Sequence, residues 1–176
     1  LSNNVNDVLN AEKIILPGVG SFDKGMQNLQ DLNLIEIIIQ KATADKTPIL
    51  GICLGMQLLT NGSEEGGLPG LGLVDAFASK FSFENQSKLK VPHMGWNIVY
   101  PAKENTLYEG MGDEIRFYFV HSYAVMCKIE TDILTKTNYG YSFVSSFQSD
   151  NIVGAQFHPE KSHKFGKQFF KNFLDL

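Results

Sequence analysis

Three residues in this sequence have types and surroundings suited to covalent chemistry: Cys53, His158 and Glu160. Cys53 is the centre of Gly51-Ile52-Cys53-Leu54-Gly55, entered through an apolar run and left through a helical pattern. Such a strand–turn–helix elbow lifts its central side chain onto the rim of a sheet. Glycine on both sides suits it, because the turn is strained and neighbouring backbone passes close by. At a helix start, unpaired amides and the helix dipole favour the thiolate, the nucleophilic form. An isolated cysteine in an apolar run is more often a buried structural residue. Glycines two residues to either side, at a strand–helix junction, favour a nucleophile that needs a base.

His158-Pro159-Glu160 follows an apolar strand ending at Phe157. Alternation along an extended chain points residues i and i+2 to one side, so imidazole and carboxylate are expected to meet. A carboxylate on one ring nitrogen fixes the tautomer and frees the other nitrogen to take a thiol proton. A single histidine is usually structural and a single glutamate usually solvated. The pairing after a cysteine elbow points to a Cys-His-Glu triad. His93 and His121 stand at strand ends, where they could line the same cleft, and His163 starts the last helix as an exposed residue. The four histidines lack the carboxylate spacing of a metal site, so neither metal nor cofactor is expected.

The positioning elements follow from pattern. Residues 13–16 form a short apolar strand ended by Pro17-Gly18-Val19-Gly20, a loop whose amides could form an anion nest or simply make a βα turn. Residues 23–44 carry helical spacing interrupted near Asn33, long enough for a crossover to the strand before the elbow. Two parallel strands then bring both glycine turns to one sheet edge, where open α/β sheets hold ligands. Residues 1–10 read as a connector, 61–72 as loop, 74–83 as strand, and 84–90 as a polar tip. Residues 91–100 place His93, Met94 and Trp96 within four positions, and residues 115–125 are aromatic-rich strand material. Residues 141–148 and 152–157 flank a Ser149-Asp150-Asn151 turn as a hairpin. Residues 162–174 put Phe165, Phe169 and Phe173 on one stripe and lysines opposite, an amphipathic helix. The fold class is α/β: an open, mostly parallel central sheet with flanking helices and an antiparallel hairpin near the C-terminus.

Composition sets outer bounds. The 176 residues suit one domain, spanning 1–176, with no convincing internal boundary. Two cysteines make no CxxC pair, which fits a reduced, cytoplasmic setting. A net charge of −4 with Arg116 as the sole arginine disfavours nucleic acid, and no run is apolar enough to span a membrane.

With these motifs in order, the sequence resembles the triad (class I) glutamine amidotransferases, and among them the glutaminase subunits of imidazole glycerol phosphate synthases. The matching segments are Leu16-Pro-Gly-Val-Gly20, Gly51-Ile-Cys-Leu-Gly-Met-Gln57, Pro92-His-Met-Gly-Trp-Asn97, Phe119-Val-His-Ser-Tyr123 and Gln156-Phe-His-Pro-Glu-Lys-Ser162. The resemblance implies glutamine hydrolysis, with ammonia passed to a partner (β/α)8 cyclase in histidine biosynthesis. It implies Cys53 as nucleophile, His158 as base and Glu160 as its orienter. Gly18, Val19 and Gly20, with the Leu54 amide, resemble the oxyanion region. Gln57, His121, Ser122 and Tyr123 resemble the glutamine-holding surface. Met94, Trp96, Tyr118 (or Tyr123) and Lys161 fall where the family docks its synthase, although a lone tryptophan is otherwise an ordinary core residue. The family also carries a strand and helix ahead of the region matching Leu1, which this sequence lacks. The same residues leave open a sugar-modifying amidotransferase, a cysteine peptidase or γ-glutamyl hydrolase, and a non-catalytic regulatory subunit.

Overall fold

The computed structural model describes residues 2–83 and 89–176. Residues 84–88 of the expected polar tip therefore lie outside the described residues. Strand β1 (Ile14–Gly18) runs parallel to β2 (Ile49–Cys53), and β2 runs parallel to β10 (Ile152–Ala155). Antiparallel strands continue the sheet. They are β9 (Tyr141–Ser149), β7 (Tyr123–Cys127) and β3 (Ala76–Lys80), with β8 (Ile133–Tyr139) on β9 and β5 (Tyr100–Pro101) on β8. The expected hairpin is β9–β10, turning at Asp150 with φ 54°. Strand β8 has no clear signal in the sequence pattern; its run of Ile133, Leu134, Thr135 and Thr137 is interrupted by register shifts against β9.

All five residues of β2 are buried, as befits a strand covered on both faces. Ile49 and Ile152 face one apolar cluster, and Leu50 and Val153 face the other. The first cluster is closed by α2 (Phe22–Asp31), α3 (Ile35–Thr43) and α4 (Leu54–Leu58). The break between α2 and α3 falls at Asn33, whose φ of 55° ends the helical path. The second cluster is closed by α5 (His163–Leu174), which buries Phe165, Phe169 and Phe173 as its stripe requires. Burying each such ring contributes about 1.5–3 kcal/mol. Phe157, next to His158, stacks on Phe117 at 3.8 Å between centroids, so His158 is anchored to this core.

Residues 1–10 are not the plain connector expected. They include the one-turn helix α1 (Val5–Leu9), because Asn4 accepts a capping bond from the Asn6 amide at 2.8 Å. A separate antiparallel pair, β4 (His93–Ile98) with β6 (Arg116–His121), lies over the second cluster. Alternation there turns His93, Phe117, Phe119 and His121 inward and leaves Met94 and Trp96 61% and 46% exposed. The His158 amide donates to the Tyr118 carbonyl at 2.9 Å, joining this pair to the end of β10. Among the described residues no helix is long and apolar enough to cross a membrane.

Candidate active site

The elbow is built by close approach. A Cβ on Gly55 would stand 1.8 Å from the Leu16 carbonyl oxygen, and one on Gly51 would stand 2.6 Å from the Gly55 oxygen. Glycine at both positions lets β1, β2 and α4 converge. Between them Cys53 takes φ 54° and ψ −109°, a conformation a side-chain-bearing residue holds only at a cost of about 1–3 kcal/mol. Gly18 lies opposite Cys53 in the β1–β2 register, so the glycine loop after β1 stands beside the thiol. Val19 there is 83% exposed, and Gly20 has φ 102°.

Cys53, Leu54, Gln57, His158 and Lys161 line one cleft of about 350 Å³ with Val19, Gly20, Val120, His121, Ser122 and Tyr123. That volume is in the range of small-ligand pockets. A larger depression of about 760 Å³ runs from Pro101 to Ile115 but contains no paired nucleophile and base, so the chemistry is sought in the smaller cleft.

His158 Nδ1 donates to Glu160 Oε1 at 2.6 Å. The carboxylate can only accept, so Nδ1 carries a proton, and in the neutral form of the ring Nε2 keeps its lone pair. Nε2 is buried and, among the described residues, has no hydrogen-bond partner. The contact arises differently from the strand alternation expected: β10 ends at Ala155, and Pro159–Lys161 is a 3-10 turn. Proline's fixed φ starts that turn and brings Glu160 back to the ring. Ser162, wholly buried, locks it, donating to the His158 carbonyl at 2.6 Å and accepting from the Tyr118 amide at 3.0 Å.

The thiol is in its resting form. Burial pushes the Cys53 pKa up to about 11, against the pull of the Leu54 amide, Lys161 and Gln156. The helix start alone therefore does not make the thiolate expected from sequence; desolvation outweighs it. Cys53 Sγ stands 3.8 Å from the Val120 carbonyl oxygen, the acceptor toward which the thiol donates. A thiol in that state has to lose its proton to a base before it can attack as thiolate.

His121 and His93 form a directed chain behind the cleft wall. His121 Nδ1 must donate to the Tyr123 carbonyl (2.7 Å), so its Nε2 accepts from His93 Nδ1 (3.1 Å), and His93 Nε2 accepts from Asn97 (3.2 Å). Both rings are neutral. Desolvation lowers their pKa values to about 3 for His121 and about 4 for His93. His121 thus supports the Ser122–Tyr123 wall, and His93 stands one residue further back.

Sequence pattern does not single out three residues of this site. Glu65 lines the cleft and accepts from the Phe22 amide at 2.7 Å, capping the start of α2. It comes from the glycine-rich loop, where nothing in spacing distinguishes it from Glu64. Gln156 and Ser162 sit inside a quoted motif, but their contacts are visible only in three dimensions. Of the expected docking residues, Trp96 packs edge-on to Tyr118 at 6.4 Å and stacks on His163 at 5.6 Å. Lys161 Nζ lies 5.8 Å over the Tyr118 ring and also lines the cleft, so this exposed face adjoins the thiol.

Comparison with known proteins gives the same class. The glutamine amidotransferase class-I family matches residues 2–176. Imidazole glycerol phosphate synthase subunit HisH 2 of Methanococcus maripaludis is 52% identical over 174 residues, covering 99% of this chain and 85% of that protein. The subunit HisH 2 of Pseudomonas aeruginosa is 48% identical, covering 99% and 86%. In fold, the crystal structure of a glutamine amidotransferase superposes with a TM-score of 0.72 at 16% identity, covering 99% of this chain and 83% of that one. The Trypanosoma brucei CTPS glutaminase domain with bound acivicin gives 0.62 at 17% identity, covering 97% and 74%. This chain belongs to the class I glutamine amidotransferase family.

Proposed function

We propose that the chain is the glutaminase subunit of an imidazole glycerol phosphate synthase, hydrolysing glutamine to glutamate and ammonia and passing the ammonia to a (β/α)8 cyclase in histidine biosynthesis. The observation that carries the site assignment is the buried, unpartnered Nε2 of His158, held by Glu160 in the cleft that contains the elbow cysteine.

His158 Nε2 takes the Cys53 proton, and Sγ attacks the side-chain carbonyl carbon of glutamine. The oxyanion is held by the Leu54 amide and an amide of the Gly18-Val19-Gly20 loop, donors that act strongly in a water-poor site. The imidazolium gives its proton to the departing nitrogen, so ammonia leaves and a thioester remains. A water then loses a proton to Nε2 and attacks the thioester. The thiolate leaves and recovers the proton, releasing glutamate. Glu160 keeps Nδ1 protonated throughout and stabilises the transient imidazolium. Gln57, Ser122 and Tyr123 form the surface that holds the substrate, and the Glu65 carboxylate suits its ammonium group.

The partner docks on the exposed face of β4 and β6. Met94, Trp96 and Tyr118 supply apolar contact, and Lys161 stands between that face and the cleft. Without the partner this chain is nearly silent, because the thiol faces Val120 and the glycine-flanked Val19 peptide is free to turn its donor away. The reading carries a cytoplasmic setting with it, since the nucleophile must stay reduced.

The experiment is glutamine turnover by this chain on its own, with a cyclase, and with cyclase plus its nucleotide ligand, for the native protein and for Cys53→Ala. Turnover is expected to rise with each addition and to vanish in Cys53→Ala. Full activity without any partner would refute the dependence on docking, and turnover by Cys53→Ala would refute the site.

A further inference from the structure

We propose that Gln156 is a catalytic residue of this site: its side-chain amide N–H holds the Cys53 sulfur and stabilises it as thiolate, with Gln57 fixing the orientation of that amide. The inference rests on Cys53 being the nucleophile.

The position is unusual for its place. Ile152, Val153 and Ala155 make β10 apolar and buried, and Phe157 continues that character into the core. Gln156 interrupts the run while being completely buried. A buried primary amide costs stability unless its donors and acceptor are met. Its backbone is used in the sheet, donating to the Ser145 carbonyl at 2.9 Å. Among the described residues its side chain bonds to two groups: Gln57 Nε2 at 3.1 Å from Oε1, and Cys53 Sγ at 3.7 Å from Nε2.

The direction of each bond follows from what the partners can do. Val120 offers a carbonyl, which only accepts, so the thiol hydrogen goes there. The sulfur is then available to Gln156 only as an acceptor. Gln156 must present its N–H to the sulfur and its oxygen to Gln57, and Gln57 must donate. The chain runs from Gln57 through Gln156 and Cys53 to Val120; its first two links are buried and the last is part-buried.

A donor aimed at sulfur discriminates between the two forms. A hydrogen bond to a charged partner is roughly twice as strong as one between neutral groups. When the proton moves from sulfur to His158, the Val120 contact is lost while the Gln156 contact strengthens. The thiolate is held where it can attack, and it is stabilised again when the thioester releases it. Burial raises the thiol pKa strongly here, and the Gln156 amide is among the groups that oppose it.

The test uses the full chain in complex with its cyclase partner and two substitutions, Gln156→Leu and Gln156→Met. The first removes the amide at similar bulk. The second keeps the unbranched shape and removes the amide donor without adding a charge beside the sulfur, so it serves if the leucine variant fails to fold. Three quantities are read: kcat and KM for glutamine, and the pH midpoint of Cys53 alkylation by iodoacetamide, located by peptide mass. Loss of a charge-assisted hydrogen bond is expected to move the alkylation midpoint upward by about one pH unit and to lower kcat by about tenfold or more. KM should stay within about threefold, because the amide faces sulfur. A folded variant whose alkylation midpoint is unchanged would overturn the proposal, even with reduced kcat, since a purely structural role does that. If Cys53→Ala retains turnover, the site itself fails and this inference with it; if Cys53 is essential and only the midpoint stays fixed, the inference alone fails.

Discussion

Substituting Gly55 with alanine tests how the elbow and the Gly18-Val19-Gly20 loop, the proposed oxyanion donor, are held together. The added methyl would stand 1.8 Å from the Leu16 oxygen, where contacts under 3.0 Å essentially never occur. Strand β1 or helix α4 must therefore give way by about 1.2 Å, the gap between those two values. Neither has slack, because the obstacle is backbone and β2 is buried along its whole length. Leu16 is two residues from Gly18, so the movement is passed to the loop that faces Cys53. A misplacement of about 1 Å at a reacting centre can cost roughly a hundredfold in rate. Removing one oxyanion donor costs about 10²–10³. We expect kcat in the partner complex to fall about a hundredfold or more, with a stability loss of about 1–3 kcal/mol from overpacking. The assay is glutaminase kinetics in the complex, with urea unfolding as the stability control. A folded Gly55→Ala chain with kcat within threefold of native would refute the close-approach argument.

Two further outcomes follow from the same geometry. The neutral His93–His121 pair has folded pKa values lowered to about 4 and about 3, below the ordinary value near 6.5. The unfolded chain therefore binds up to two more protons than the folded one between those limits. Its contribution is present above pH 6.5 and is lost as pH falls toward 4 and then 3, because the unfolded chain takes up those protons first. Unfolding titrations at pH 7 and 5 should show a steeper loss for the native chain than for a His93→Gln, His121→Gln double variant, and equal slopes would rule the pair out as the cause. Trp96→Ala should weaken cyclase binding by about 2 kcal/mol or more, as expected for an exposed aromatic anchor. Unchanged affinity in a binding titration would leave the β4–β6 face without a docking role.

What could be read from the chain was whatever depends on near neighbours. The Cys53 elbow, the glycine turn after β1, the helix break at Asn33 and the Phe165, Phe169, Phe173 stripe are all short-range patterns, and a backbone torsion or a helical period enforces each. The pairing of His158 with Glu160 was legible too, because only one residue separates them, although a proline-started turn makes the contact instead of an extended strand. Contacts between distant segments were not legible. Glu65 reaches the cleft because its loop caps α2, Ser162 matters because β6 passes beside His158, and Gln156 faces sulfur because β2 and β10 are neighbours. The same holds for Trp96, whose exposure is decided by the β4–β6 pairing, and for the thiol, whose protonation is decided by how much protein surrounds it. Spacing determines which side chains share a local face. Burial, and the partners found there, are properties of the packed sheet, so the charge and proton positions of this site exist only once the chain has folded.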